Sequence, residues 1–340
     1  MEIERLPAED AWYDAWHQLF CAVRVADQPD LPCPSRQATY VGLTQGWPAE
    51  TSEHWIARDG DVLLGASEIT LPTRDNLDNA WLELAVRPEH RRRGVGTALF
   101  EHAEAYVRGV GRKRLMVDVV ETRPGGAERS PGPAAFAARH GAKRALEEVR
   151  RRLVLTEAAA GQRARLDAAL EDAWRHAAGY SIVQWDEGGT PDDVVADIAA
   201  LDSDFLTQAP LGDMEWEPEL VDVARTREIE KAIRDRGWRR CHTAARHDAT
   251  GEVIAWTTLG FFGDTEDHAW QLITVVRPDH RGHRLGAVVK LENLRYAQRR
   301  LPALRTVDTC NATVNDHMVA INDLMGFQPV DLMVGWQLHL

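Results

Sequence analysis

Two short stretches of this chain, 190 residues apart, decide its fold. Residues 86–96 read V-R-P-E-H-R-R-R-G-V-G, and residues 276–286 read V-R-P-D-H-R-G-H-R-L-G. Six of the eleven positions are identical, including the last glycine. A repeat at this distance is far too long for a solenoid and is typical of a duplicated domain.

The sequence around each stretch predicts a strand before it and a helix after it. The apolar run at 81–86 stops before Pro88, which cannot continue a central strand. Leucine, phenylalanine and alanine recur at helical spacing over 96–110. The second copy repeats this order with a strand at 270–276 and a helix at 285–299. Each half therefore reads as a β-hairpin, a strand, a turn, a helix, a strand, a helix and a strand.

The length agrees with two domains, since 340 residues is about twice a usual domain. An alanine-rich stretch with apolar residues at four-residue spacing separates the two copies and predicts a linking helix. We expect an N-terminal domain at 1–157, the linking helix at 158–178 and a C-terminal domain at 179–340.

Composition excludes several classes of protein. The chain has 40 Lys and Arg against 53 Asp and Glu, a net charge of −13, so a nucleic-acid partner is not expected. No run of about 18 apolar residues predicts a membrane span, and the first residues do not resemble a secretory signal. The four cysteines form no C-x-x-C pair, so we expect no metal site, no disulfide framework and a cytoplasmic location.

The first turn has the chemistry of an anion site. The start of a helix leaves backbone N–H groups unpaired, and the helix dipole adds positive charge there. Gly94 and Gly96 let a phosphate approach the backbone, and the three arginines at 91–93 add charge. The spacing matches neither the Walker pattern nor the dinucleotide fingerprint.

The R-x-x-G-x-G spacing after V-x-P resembles motif A of the GNAT N-acetyltransferase superfamily, in which this turn grips the pyrophosphate of acetyl-CoA. Residues 315–327, which end in Gly-Phe, resemble the second signature of the same family. The likeness covers nearly the whole chain, once per half. It implies an α/β fold with a mixed sheet in two tandem GNAT acyltransferase domains.

The resemblance also implies which residues bind acetyl-CoA. In the first half these are Leu84, Ala85, Val86, Arg91, Arg92, Arg93, Gly94, Val95, Gly96 and Thr97. In the second half they are Thr274, Val275, Val276, Arg281, Gly282, His283, Arg284, Leu285, Gly286, Asn311 and Asn315. The strand before each turn is expected to separate from the next strand, so that its free backbone groups pair with pantetheine amides.

Three residues are candidates for catalysis. Glu83 lies in the strand beside the first cofactor channel, where relatives sometimes place a base, and Asp308 ends a strand near the expected thioester. Asn315 begins the second signature. The alternatives stay open: Glu83 as a solvated strand residue, and Asp308 as a strand-end carboxylate that accepts backbone hydrogen bonds.

The family's usual tyrosine acid is missing from both halves. Asn322 and Ala137 occupy its positions, so the sequence identifies no general acid. The second half keeps Asn311, Asn315 and the Gly-Phe ending, which favours it as the catalytic half. Its first motif glycine is replaced by Arg284, so the first half has the better phosphate turn.

The sequence thus predicts an enzyme that moves an acetyl group from acetyl-CoA to an amine of a small molecule by direct attack. Another acyl-CoA, a protein amine, or a non-catalytic CoA-binding role are the alternatives. The loop residues Asp204, Asp213, Glu215, Trp216 and Trp47 are candidates for an acceptor pocket. A monomer and a homodimer are both compatible with a duplicated chain.

Overall fold

The computed structural model describes residues 1–155, 160–263 and 266–340. Its strands are β1 (Glu2–Arg5), β2 (Glu50–Asp59), β3 (Val62–Pro72), β4 (Asn79–Val86), β5 (Arg114–Glu121), β6 (Lys143–Val154), β7 (Tyr180–Trp185), β8 (Arg239–His247), β9 (Val253–Phe261), β10 (His268–Val276), β11 (Thr306–Ala312) and β12 (Gln328–His339). Its helices are α1 (Asp10–Asp27), α2 (Arg36–Gln45), α3 (Val95–Gly109), α4 (Gly132–Arg139), α5 (Ala160–Trp174), α6 (Val195–Gln208), α7 (Val223–Asp235), α8 (Leu285–Arg300) and α9 (Asp316–Met325).

The chain forms two compact units that do not follow the sequence halves strictly. Unit 1 contains Met1–Glu147, Leu211–Glu217 and Asp331–Leu340, and unit 2 contains Glu148–Pro210 and Pro218–Val330. The expected domain limits at 157 and 179 stay a prediction, and residues 156–159 lie outside the described part of the chain. The helix expected at 158–178 is described as α5, from residue 160.

Unit 1 is built on a sheet with the strand order β1-β2-β3-β4-β5-β12. The pair β4–β5 is parallel, while β3–β4 and β5–β12 are antiparallel, so the sheet is mixed. Helix α3 buries Leu99, Phe100, Ala103 and Val107, the face that its sequence spacing predicts. These side chains pack on the core of the sheet, for example on Leu82.

Unit 2 repeats the plan with the order β6-β11-β10-β9-β8-β7. Here β10–β11 is the parallel pair, and β6–β11 and β9–β10 are antiparallel. Helix α8 is buried on nearly all sides, because α5 packs on it through Leu170 and Ala173. The mixed α/β fold expected from the sequence is confirmed in both units.

The last strand of the chain contributes to the first unit. Residues 332–339 of β12 pair with 114–121 of β5. Val334 and Trp336 pack there against Val119. The end of the second half of the sequence therefore supports β5, a member of the parallel pair of unit 1. None of the described helices combines the length and the apolarity needed to cross a bilayer.

Candidate active site

The parallel strands β4 and β5 of unit 1 separate at the position where the sequence predicts the cofactor channel. The pairing of β4 with β5 runs from Asn79–Arg114 to Trp81–Met116. On its other side, β4 stays paired with β3 as far as Val86. The edge of residues 82–86 that faces β5 is therefore free for backbone hydrogen bonds with a ligand. In unit 2 the pairing of β10 with β11 likewise runs from His268 to Trp270.

The first turn presents an accessible anion site. Gly94 is the N-cap of α3 with φ of 87°, and no atom lies within 4 Å of where its Cβ would be. Arg92 also has a positive φ, 61°. The side chains of Arg92 and Arg93 are exposed and have no hydrogen-bond or ion-pair partner among the described residues. Two free guanidinium groups beside an uncapped helix start suit a pyrophosphate.

Arg91 has a different role from the one the resemblance implies. Its guanidinium forms two hydrogen bonds of 2.8 Å to the carboxylate of Asp27, and its Nε donates to the Val86 carbonyl at 3.1 Å. Arg91 thus fastens the turn to the end of α1. Of the remaining predicted contacts, Leu84, Gly96 and Thr97 are half-buried, whereas Ala85 and Val95 are buried in the core.

The second turn has the same backbone shape with the glycine moved. Gly282 has φ of 87° and Arg284, the N-cap of α8, has φ of 55°. A left-handed arginine costs about 1–2 kcal/mol more than a left-handed glycine. Each turn has two left-handed positions, and only one of them is a glycine: Gly94 in the first turn and Gly282 in the second. Arg92 and Arg284 occupy the other position and carry that strain.

Arg281, His283 and Arg284 of the second turn all have hydrogen-bond or ion-pair partners. Arg284 forms an ion pair with Asp172 of α5. Arg281 donates to Gln208 at 2.6 Å, and His283 Nδ1 lies 3.3 Å from the His176 carbonyl oxygen. The second turn therefore differs from the first, in which Arg92 and Arg93 have no partner among the described residues.

Glu83 has an unusual electrostatic environment. Its side chain is exposed, but many protein atoms lie around its carboxyl group. Partial loss of hydration, together with the charge of Glu68, raises the pKa of Glu83 to about 7. Arg24 of α1 opposes the shift. A carboxyl group with a pKa near neutrality is suited to general base catalysis.

Asp118 of β5 is a second acid that acts on Glu83, and the sequence motifs did not predict it. Desolvation raises the pKa of Asp118 to about 6, against a hydrogen bond from the Trp81 indole that lowers it. Its charge in turn raises the pKa of Glu83. Asp118 corresponds to Asp308 across the 190-residue repeat, which is the signal that points to it.

The equivalent positions of unit 2 carry no comparable pair. Ile273 stands 190 residues after Glu83. Asp308 is fully buried and contacts three cationic or ionisable side chains: Arg150 at 3.1 Å, Arg152 at 2.6 Å and His268 at 3.0 Å. Burial alone would raise the pKa of Asp308, but the hydrogen bonds from Arg152 and His268 outweigh it and hold the pKa at about 2.

These contacts correct the role considered for Asp308. A carboxylate held ionised by two arginines is a poor proton acceptor at neutral pH. These contacts favour a structural role, in which Asp308 neutralises two arginines of β6. The alternative of a strand-end carboxylate bound to backbone groups is also replaced, because its partners are side chains.

The asparagines of the second signature brace unit 2. Asn315 caps α9 by accepting from the Met318 N–H at 3.2 Å. Asn322, at the usual tyrosine position, donates to Asn311 of β11. Its Oδ1 accepts from Lys290 Nζ of α8 at 2.6 Å. These hydrogen bonds link α8, α9 and β11.

Lys290 is a buried lysine that no sequence motif predicts. Its side chain is 1% exposed, and no carboxylate contacts it in the described part of the chain. Burial lowers the pKa of Lys290 to about 7. The other predicted contacts of unit 2 are close-packed: Thr274 Oγ1 lies 2.8 Å from Thr257 Oγ1, and a Cβ on Gly286 would lie 3.1 Å from Ile321. Val275 and Leu285 are buried in the core.

Among the described residues, no group of three or more histidine, cysteine, aspartate and glutamate side chains is arranged to hold a metal ion.

Comparison with known proteins agrees with this geometry. The acetyltransferase (GNAT) family matches residues 12–126. A tandem GNAT protein from the clavulanic acid biosynthesis pathway is 32% identical, with a TM-score of 0.81 over 99% of this chain and 98% of that one. A GCN5-related N-acetyltransferase from Sphaerobacter thermophilus is 14% identical, with a TM-score of 0.65 over 99% of this chain and 95% of that one.

A putative acetyltransferase from Pyrococcus horikoshii shares the fold at 12% identity, with a TM-score of 0.52 over 100% of this chain and 89% of that one. No curated protein matches the chain. The likeness to the tandem protein spans both halves, as does the duplicated strand, turn and helix. The chain therefore belongs to the GNAT acetyltransferase family and has its tandem architecture.

Proposed function

We propose that the chain is an N-acetyltransferase that moves an acetyl group from acetyl-CoA to the amine of a small molecule, and that unit 1 carries out the reaction. The observation that carries this proposal is Glu83, an accessible carboxyl with a pKa of about 7 on the strand beside the free edge. The sequence favours the second half, but the contacts in unit 2 support the opposite assignment.

Unit 1 has the parts that acetyl-CoA requires. The start of α3, Arg92 and Arg93 would hold the pyrophosphate, and the open space at Gly94 admits it. The free edge of β4 would pair with the pantetheine amides. A backbone N–H of the same edge would donate to the thioester oxygen, where negative charge develops during attack.

Glu83 would act on the acceptor. An amine arrives mainly as an ammonium ion, and Glu83 accepts one of its protons, so that the nitrogen lone pair becomes available. The nitrogen then forms a bond to the thioester carbon and loses a second proton to water as the carbon–sulfur bond breaks. The electron pair of that bond leaves with the sulfur as a thiolate. Ala137 cannot protonate it, so water supplies that proton.

Unit 2 is the weaker candidate for three physical reasons. Its turn has no free cation among Arg281, His283 and Arg284. Its strand has an isoleucine where unit 1 has Glu83. Asn322, at the position of the family's usual tyrosine, is engaged by Lys290 and Asn311. We propose that this half stabilises the fold and does not turn over substrate.

The release of CoA thiol from acetyl-CoA in the presence of a panel of small primary amines tests this proposal. Glu83→Gln keeps the size of the side chain and removes the base, so we expect thiol release to fall about 10²–10⁴-fold. Glu104→Gln, which alters only a surface pair with Arg108, is the control. Thiol release by Glu83→Gln at the rate of the unaltered chain contradicts the proposal. Tight binding of acetyl-CoA without release by any amine favours the non-catalytic alternative.

A further inference from the structure

Residues 211–217, here called the strap, come from the second half of the sequence but belong to unit 1. One end of the strap is fixed to β6. The Asp213 N–H donates to the Ala145 carbonyl at 2.7 Å, and Gly212 lies so close that a Cβ there would be 2.3 Å from the same oxygen. Only a glycine with its φ of +56° fits this position.

The other end of the strap is fixed by two buried asparagines. Asn79 donates to the Glu215 carbonyl at 3.0 Å. Asn76 donates to the Glu217 carbonyl at 3.0 Å and accepts from the Glu217 N–H at 2.7 Å. Both asparagines are 1% exposed. Side-chain amides this deeply buried hold a defined backbone position, so the strap is a built part of unit 1.

This anchoring places Trp216 against Trp81 of β4. Its ring meets Trp81 edge to face, with centroids 5.5 Å apart and planes at 77°. Trp81 donates to Asp118, and the charge of Asp118 acts on Glu83. Met214 of the strap packs on Gly335 of β12, the residue paired with Asp118. Trp216 thus packs on Trp81, which lies two residues before the proposed base on β4 and therefore on the same face of the strand.

The indole N–H of Trp216 makes no hydrogen bond to any described residue. The nitrogen is buried, and no acceptor lies within hydrogen-bond distance among the described residues. An unsatisfied buried donor is unfavourable, and a ligand oxygen that reaches it when the strap shifts would relieve it. The carboxyl groups of Glu68, Glu83 and Asp118 lie on the neighbouring strands β3, β4 and β5 and favour an ammonium group.

We propose that Trp216 determines acceptor specificity in unit 1, and that the acceptor is a primary amine carrying a hydrogen-bond-accepting oxygen, which binds the Trp216 indole N–H while the amine faces Glu83. This inference rests on the proposed function of unit 1. It gives the second half of the chain a direct part in the reaction, through seven residues of the strap.

Two matched series of amines test the proposal: ω-methoxyalkylamines with two to five methylene groups, and n-alkylamines in which a methylene replaces the oxygen. We expect the unaltered chain to prefer the oxygen-bearing amine at one chain length by about 3- to 10-fold in kcat/KM. Trp216→Phe keeps an aromatic ring but removes the N–H. It should abolish this preference and leave the KM for acetyl-CoA unchanged.

Trp55→Phe is the matched control, because Trp55 also has a buried indole N–H without a partner but packs near His102 and Tyr106 of α3. It should keep the preference. A preference that survives Trp216→Phe overturns the proposal, as does the absence of any preference at every chain length.

A second measurement separates this inference from the proposed function. The Trp216 indole resonance, assigned by its loss in Trp216→Phe, is followed by ¹⁵N NMR while a methoxyalkylamine is added in the presence of CoA. We expect it to shift with the oxygen-bearing series and to stay in place with the alkyl series. If no amine releases thiol yet the resonance shifts, unit 1 binds the amine but is not an acetyltransferase. If the resonance does not shift, the role of Trp216 is wrong.

Discussion

Glu83 of β4 and Glu68 of β3 lie directly opposite each other across an antiparallel strand pair. Two carboxyl groups in this relation repel each other when both are ionised, so one of them holds its proton more tightly. Desolvation and this repulsion together give Glu83 its pKa of about 7. A cross-strand pair that would be costly in an ordinary sheet thus adjusts the proposed base to neutral pH.

The pH dependence of acetyl transfer follows from this pair. A base must be unprotonated to act, so kcat/KM should rise with pH through an apparent pKa near 7. Glu68→Gln removes the neighbouring charge and should move this rise to lower pH. Profiles of thiol release for both proteins check the direction. A rise that stays in place in Glu68→Gln, or that moves to higher pH, contradicts the coupling.

Asp308 is expected to matter for stability and not for proton transfer. Asp308→Asn leaves the buried Arg150 without its carboxylate and should lower the free energy of unfolding by about 3–5 kcal/mol at neutral pH. The pKa of Asp308 is lowered to about 2, so its contribution is present above the ordinary value of 3.8 and disappears as the pH falls towards 2.

Chemical denaturation between pH 2 and 7 measures this effect. Asp323→Asn is the control, because Asp323 pairs with Arg151 of the same strand but is 60% exposed. It should change the free energy of unfolding by less than about 1 kcal/mol. If folded Asp308→Asn loses thiol release as completely as Glu83→Gln, Asp308 is the base after all.

Lys290→Met is expected to stabilise the chain at low pH. Burial lowers the pKa of Lys290 to about 7 from its ordinary 10.5, so below pH 7 the folded state carries a buried ammonium. Between pH 7 and 10.5 the unfolded state binds more protons, and the cost declines as the pH rises. The methionine variant should therefore gain about 1–4 kcal/mol at pH 6.5 and much less at pH 10.

Denaturation at the two pH values checks this, with the exposed Lys231→Met of α7 as control. An equal gain at both pH values would show that Lys290 does not titrate on unfolding. A loss of stability at both would show that its hydrogen bond to Asn322 outweighs the burial of charge.

Gly212→Ala is expected to loosen the strap. The added Cβ meets the Ala145 carbonyl at 2.3 Å in a left-handed backbone, so the strap must move. We expect the KM for the amine to rise several-fold with little change in the KM for acetyl-CoA. Gly251→Ala has the same kind of positive φ, 79°, without any atom within 4 Å, and controls for backbone strain alone. Equal kinetics in the two variants would contradict the proposed role of the strap.

The local parts of this account could be predicted from the sequence. The strands, turns and helices around residues 86–96 and 276–286 follow from proline, glycine and apolar spacing, which act within a few residues. Glu83 was placed on the right strand for the same reason. The separation of β4 from β5 followed from the family resemblance and is present.

The non-local parts could not be predicted. The partners of Asp308 lie 40 to 158 residues away, so its ion pairs are invisible to a local pattern. The strap reaches Asn76 and Asn79 across more than 130 residues. Gly326 and Phe327 completed a family signature, yet the asparagines before them brace α9 and β11. Pattern alone does not tell whether a polar side chain faces a ligand or a neighbouring helix.

The central claim is that acetyl-CoA binds at the turn of unit 1, and Gly94 and Gly282 allow a closely matched test. Both glycines have φ of 87° and both have no atom within 4 Å of a Cβ, so tryptophan causes equal backbone strain at either position. Calorimetric titration of acetyl-CoA is the measurement. We predict one binding site in the unaltered chain, the same site in Gly282→Trp, and its loss in Gly94→Trp. Binding that survives Gly94→Trp and disappears in Gly282→Trp would move the active site to unit 2.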